Sequence, residues 1–120
     1  MPKNTTAIGA TAEDIAAKYL CEKGYHIIAR NHRTRFAELD IIAANKEFVV
    51  FVEVKYRKHA DFGGGAGAIT QDKLRRLRNA ATIWMGEQEQ YTNMQPRIDV
   101  ITVEGELGSA TLGHIEDISN

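Results

Sequence analysis

Glu38-Leu39-Asp40-Ile41-Ile42-Ala43-Ala44-Asn45-Lys46-Glu47-Phe48-Val49-Val50-Phe51-Val52-Glu53-Val54-Lys55-Tyr56 decides the fold. Two β-favouring runs, 38–43 and 48–56, flank a short polar segment, and a tight hairpin is the simplest connection. The second run is dense in Val and Phe, as a strand buried on both faces should be. Residues two apart on a strand share a face, so Glu53 and Lys55 point one way and Val52 and Val54 the other. A carboxylate closing so apolar a run needs a partner, because burying it alone is costly.

The turn sets the neighbours. A two-residue turn at Asn45-Lys46 puts Glu38 opposite Glu53, with Asp40 on the diagonal. A turn at Lys46-Glu47 puts Asp40 directly opposite Glu53. Either register places Asp40 on the face of Glu53 and Lys55, with opposed Cβ atoms about 4.5–5.5 Å apart. A three-residue loop would set Leu39 and Ile41 among those charges, against the apolar pattern. Two carboxylates held that close repel unless a cation lies between them. Magnesium takes a few carboxylates together with waters and phosphate oxygens. A lysine alongside can stabilise a developing oxyanion or orient a water. Asp40, Glu53 and Lys55, with Glu13 as a fourth member, therefore suit the cutting of a phosphodiester. The plainer alternative is a cross-strand ion pair of Lys55 with either acid.

Working outward, residues 7–23 read as a helix, with Ile8, Ala12, Ile15, Ala16, Tyr19 and Leu20 on one side. Thr5 or Thr6 suits its N-cap, and Gly24 its C-terminal cap. Tyr25 to Ala29 reads as a first short strand. Residues 60–68 form a glycine-rich connector without the Gly-Lys-Ser/Thr of a phosphate-binding loop; a lid over the site is the other role open to it. Thr70 can cap a second helix over 71–87, whose apolar stripe is Leu74, Leu77, Ala81, Trp84 and Met85. Lys73, Arg75, Arg76 and Arg78 crowd its first two turns, the end where the helix dipole disfavours cations. The polar stretch 88–96 ends at Pro96, a strand follows over 97–103, and one more short strand fits Thr111 to Ile115. A strand–helix–strand path from 48 to 103 favours parallel pairing with a right-handed crossover.

The 120 residues suit one domain with one core. A single cysteine, Cys21, excludes an internal disulfide and any Cys/His zinc spacing. Met1 to Thr6 lack the apolar core of a signal peptide, and the apolar run Phe48 to Val52 is too short for a bilayer, so a cytoplasmic protein without a membrane partner is expected. Net charge is −1, yet residues 23–78 hold twelve of the fifteen Lys/Arg and six of the sixteen Asp/Glu. That asymmetry gives either a basic face for nucleic acid or simply solvated basic helix surfaces.

Glu53-Val54-Lys55 after the 38–42 strand resembles the Asp…Glu-x-Lys signature of restriction-endonuclease-like nucleases. Further matching pieces are Gly9-x-x-x-Glu13, the Tyr19-Leu20 to Gly24-Tyr25 helix end, Asn31-x-Arg33, Phe62-Gly63, Lys73-x-x-x-Leu77 and Arg97-x-Asp99-Val100. Together they are most similar to the bacterial YraN family, related in fold to archaeal Holliday-junction resolvases. The resemblance implies an α/β fold, a mixed four- to five-stranded sheet flanked by helices. It implies Mg²⁺, with Mn²⁺ as substitute, held by Asp40, Glu53 and Glu13, with Lys55 as the catalytic lysine. Glu13 lies about 90° from the centre of its helix's apolar stripe; a first-turn glutamate favouring the helix dipole is its plainer reading.

The expected function is Mg²⁺-dependent endonucleolytic cleavage of DNA, with branched or junction DNA one substrate class. The alternative is a catalytically inactive module that binds nucleic acid or a partner on the same fold. Lys73, Arg75, Arg76, Arg78, Arg57 and Lys58 are the expected phosphate contacts, with DNA favoured over RNA. Junction resolvases act as symmetric dimers, which leaves a homodimer open. Asp99 reads as a structural ion pair with Arg97, Trp84 as core, and His59 as surface.

Overall fold

The computed structural model describes residues 4–58 and 69–118, with side chains from residue 11 onward. The glycine-rich 60–68 stretch, His59 and the Ile8 side chain lie outside that description. The chain order is α1 (Asn4–Glu22), β1 (His26–Arg33), β2 (Glu38–Ala44), β3 (Phe48–Arg57), α2 (Gln71–Gly86), β4 (Gln95–Glu104) and β5 (Thr111–Ile115). The strands form a single mixed sheet in the order β1-β2-β3-β4-β5. Among the described strands only the β3–β4 pair is parallel, as the strand–helix–strand path requires. The α/β class and the mixed sheet flanked by helices are as expected, and the arrangement is consistent with a restriction-endonuclease-like fold.

The helices cover opposite faces. Ala12, Ala16 and Leu20 of α1 pack on Ile41, Ala43, Val50, Val52, Ile101 and Val103. Leu74, Leu77, Ala80, Ala81 and Trp84 of α2 pack on Ile42, Ala44, Val49 and Phe51. Burying a side chain such as Leu20 or Phe51 contributes roughly 1.5–3 kcal/mol. Trp84 is core, edge-on to Phe51 at 5.7 Å.

Local chemistry sets the ends. Gly24, at φ +99°, stops α1. The Tyr25 N–H donates to the Leu20 carbonyl (3.0 Å) and the Gly24 N–H to the Cys21 carbonyl (3.1 Å), the paired bonds of a Schellman cap. A Cβ there would meet nothing within 4 Å, so only the backbone angle opposes one. Gly24→Ala should therefore cost about 1–2 kcal/mol; an unchanged thermal midpoint would contradict this account of the cap. Thr70 caps α2, its hydroxyl accepting from the Lys73 N–H.

Three boundaries differ from the sequence reading by two residues or more. α1 already includes Thr5 and Thr6, so neither caps it. β1 extends to Arg33 because its polar second half still pairs with β2, and an edge strand tolerates exposed Arg and Asn. β4 begins at Gln95 and contains Pro96. β5 pairs only with Val100–Glu104, so the proline's missing N–H weakens no ladder bond to that strand.

Asp99 lies in β4, fully buried on the α1 side. Arg97 grips it with two hydrogen bonds, Nε to Oδ1 (3.0 Å) and Nη2 to Oδ2 (2.9 Å). His114 of β5 reaches Oδ2 at 2.7 Å, and the Asp117 N–H donates to Oδ1. Arg97 also donates to the Tyr25 hydroxyl, while the Tyr19 hydroxyl meets His114 Nδ1 at 2.9 Å. The expected Arg97–Asp99 pair is thus the middle of a network tying α1, β4, β5 and the chain beyond it.

Candidate metal and phosphate site

The hairpin takes the Lys46-Glu47 turn. The Asn45 side-chain oxygen accepts from the Glu47 and Phe48 N–H groups, and the Asn45 N–H donates to the Phe48 carbonyl. Ile41 pairs with Val52, so one more step in that register would set Asp40 opposite Glu53.

The ladder does not take that step as a regular sheet. Leu39 and Ile41 are two residues apart, yet they pack in opposite clusters. Strict alternation, assumed from the sequence, breaks at Asp40. Across on β1, Asn31 sits at φ +54°, between the Arg30–Ile41 and His32–Leu39 pairs. On β3, the Val54 N–H donates to Asp40 Oδ2 at 2.9 Å. In a continued antiparallel ladder the Leu39 carbonyl would have accepted that bond. The carboxylate has replaced a main-chain acceptor, which fixes it against β3.

This placement has an electrostatic cost. Burial first, and the neighbouring Glu53 second, push the Asp40 carboxyl from 3.8 up to about 7; the Val54 N–H opposes the shift only in part, and Glu13 and Glu38 add to it. Among the described residues, its surroundings therefore favour the neutral acid over the carboxylate.

Glu53 is buried on the opposite face from Val52, at 7% exposure. Lys55 Nζ and Lys73 Nζ each lie 3.7 Å from its Oε2. Lys55 comes from the same strand and Lys73 from the first turn of α2. Asp40, Glu53 and Lys55 are neighbours, Asp40 through its side-chain bond to the Val54 N–H rather than through the regular pairing assumed from the sequence.

Glu13 stands at the margin. Its carboxylate is 3.5 Å from Arg30, which also holds Asp14 at 2.8 Å. Glu38 faces Arg33 at 3.6 Å. Among the described residues, no three Asp, Glu, His or Cys side chains are gathered as a ready metal cage. The donor set that does converge is two carboxylates. That fits an ion which completes its shell with water and phosphate oxygens, as magnesium does.

The cations expected to contact phosphate divide. Lys73 is turned inward to Glu53, so its place in the basic helix start is explained by the site rather than by solvent. Its role beside Glu53 was missed because spacing along α2 says nothing about a strand remote in sequence. Arg75 and Arg76 both pair with Asp72 on their own helix, which offsets the dipole conflict there. Lys58 is exposed at the end of β3, and Arg57 closes that strand. Arg78 lines a cleft with Met85 and Met94.

Residues 12–103 match the family model described as Uncharacterised protein family UPF0102. The chain belongs to the UPF0102 family. A UPF0102 protein of Mycolicibacterium vanbaalenii is 48% identical over 96 residues, covering 80% of this chain and 78% of the relative. One from Rhodococcus opacus is 44% identical over 97 residues, 81% of each chain. One from Vibrio parahaemolyticus is 38% identical over 96 residues, 80% of this chain and 79% of the relative. UPF0102 is the YraN family to which the sequence motifs pointed. The matched span contains Glu13, Asp40, Glu53, Lys55 and Lys73, and ends before β5. No described helix of this UPF0102 chain is long and apolar enough to cross a membrane.

Proposed function

We propose that this UPF0102 chain is a Mg²⁺-dependent endonuclease that hydrolyses phosphodiester bonds in DNA, in the cytoplasm. One observation carries the reading: a half-buried carboxyl held near 7 beside a buried carboxylate, with two lysine ammonium groups within 4 Å of the latter. Perturbed titratable groups gathered with charged partners are candidates for chemistry. A structural ion pair would not place a second acid where it is this poorly compensated.

Asp40 and Glu53 would hold the ion, with Glu13 approaching from α1; Mn²⁺ would substitute. When bound, the ion supplies Lewis-acid activation of water and neutralises charge on phosphoryl oxygens. The protein's own groups do the rest. The Val54 N–H fixes the Asp40 carboxylate. Lys55 donates to the phosphoryl oxygen as negative charge grows on it. Lys73 balances Glu53 and frees Lys55 for that role. A branched substrate would suit a symmetric pair of such sites.

A nicking assay on plasmid and branched DNA with Mg²⁺ or Mn²⁺ tests the reading. Glu53→Gln and Lys55→Met should each lose on the order of 10²–10³-fold in rate. Wild-type turnover that survives Glu53→Gln would remove the site.

The two lysines also favour a second reading, because they neutralise Glu53 without a metal. A DNA- or partner-binding module would then keep the fold and bind without turnover. Calorimetry with Mn²⁺ separates the two. The nuclease requires binding that Glu53→Gln abolishes, and the module requires none.

A further inference from the structure

Two arginines that the sequence reading left out of the DNA contacts lie at the connection between β1 and β2. Arg33 and Arg35 are both exposed. Arg33 has one loose pairing, 3.6 Å to Glu38, with its own side chain 80% exposed. The Arg35 guanidinium lies 5.1 Å from the Phe36 ring centroid and has no acid within ion-pair reach among the described residues. By contrast, Arg75 and Arg76 on α2 share Asp72, and Lys73 is turned to Glu53.

The tip is also built rigidly. The Thr34 hydroxyl accepts from the Phe36 N–H (3.0 Å) and the Ala37 N–H (3.1 Å), and donates to the Ala37 carbonyl (2.9 Å). The Thr34 N–H closes the turn on that same carbonyl. A turn already ordered loses little freedom when it binds. Between the tip and the end of α2 lies an open cleft of about 500 Å³, with Phe36 and Ile83 on its apolar side, the arginines on its rim and Glu87 at its margin.

Position links the tip to the site. β2 leaves the tip at Glu38 and reaches Asp40 two residues later. α2 starts beside Glu53 at Lys73 and ends beside the tip at Ile83. Five residues separate Arg35 from Asp40, a span of at most about 18 Å. At 3.4 Å per nucleotide of a duplex strand, that is about five nucleotides. β1 is the sheet's edge strand, so among the described residues no further strand covers this approach.

We propose that the β1–β2 tip grips the DNA backbone a few nucleotides from the scissile phosphate, with Arg33 and Arg35 as its phosphate contacts. The substrate then runs from Glu53 and Lys55 across the edge of the sheet, not along the outer face of α2. This rests on the nuclease reading for its choice of DNA as ligand.

The test is fluorescence anisotropy of the full chain with a labelled 30-base-pair duplex, across a salt series. Arg33→Ser/Arg35→Ser should weaken binding roughly tenfold or more near 0.1 M salt and lower the salt slope by about two. Arg33→Lys/Arg35→Lys should restore most of both, and Arg75→Ser/Arg76→Ser should shift the slope by less than half as much. Unchanged binding in the tip variant, a larger loss in the α2 variant, or no wild-type binding at low salt would overturn the proposal. Cleavage is scored separately. If wild type never cuts DNA but the tip variant still binds more weakly, the grip stands and the enzymatic reading falls.

Discussion

Asp40→Asn is expected to stabilise the protein at pH 8 while abolishing turnover. The folded carboxyl titrates near 7 instead of 3.8, so between those values the folded state keeps a proton that the unfolded chain has released. Stability through this group therefore falls as pH rises from about 4 to about 7, and the whole penalty applies above that. Three units correspond to an upper bound of about 4 kcal/mol. Asparagine carries no charge to desolvate, and its side-chain oxygen can still accept from the Val54 N–H. Chemical denaturation of both proteins from pH 4 to pH 8 should give curves that meet near pH 4 and separate steadily above it. A less stable variant at pH 8, or a gap independent of pH, would sink this account. Mg²⁺ supplies a second readout. Saturating ion should stabilise the wild type at pH 7, by about 2.7 kcal/mol at a hundred times its Kd, and leave the variant unmoved. Stability gained where function is lost is what a working carboxylate in an unfavourable place produces.

Much of this site was legible because strand geometry is local. Period-two alternation put Glu53 and Lys55 on one face, and the polar Asn45 to Glu47 segment limited the hairpin to two registers that kept Asp40 with them. The apolar stripes of both helices and the cap at Gly24 were equally readable, since each depends on neighbours within a few residues. What escaped the sequence was set by tertiary packing. The break in alternation at Asp40 arises where β1 carries Asn31 in a left-handed conformation and β3 offers the Val54 N–H, neither of which the 38–43 run contains. Lys73 looked like one of four similar cations; only the docking of α2 on the sheet distinguishes it from Arg75 and Arg76. The two tip arginines were passed over for a similar reason. Their value lies in being less neutralised than Arg75 and Arg76, and that is visible only once Asp72 is seen to pair with both of those. Arg97 and Asp99 read as a pair, but His114, Tyr25 and Tyr19 come to them from other elements.

That network sets the other large expectation. Asp99→Ala should destabilise the fold by about 3–5 kcal/mol, because it takes from Arg97, itself only 7% exposed, its hydrogen-bonded counterion and leaves it only the exposed Glu116 at 3.9 Å. His114 and the Asp117 N–H lose their acceptor as well. Replacing both partners, as in Arg97→Met/Asp99→Leu, should cost less than the single change, since no buried charge is left alone. Asp99 also has the opposite linkage to Asp40. Burial would raise its carboxyl, but the hydrogen bonds from His114, Arg97 and the Asp117 N–H outweigh it and hold the group below its ordinary range. Its contribution is therefore complete above about pH 4 and is lost as acid protonates it. Acidification from pH 7 should first strengthen the protein through Asp40 and then weaken it through Asp99, giving a maximum near pH 4. Asp40→Asn should flatten the upper limb alone, and Arg97→Met/Asp99→Leu the lower limb alone. A wild-type profile that rises steadily to pH 8 would show that the carboxyl at 40 is not the strained group described here.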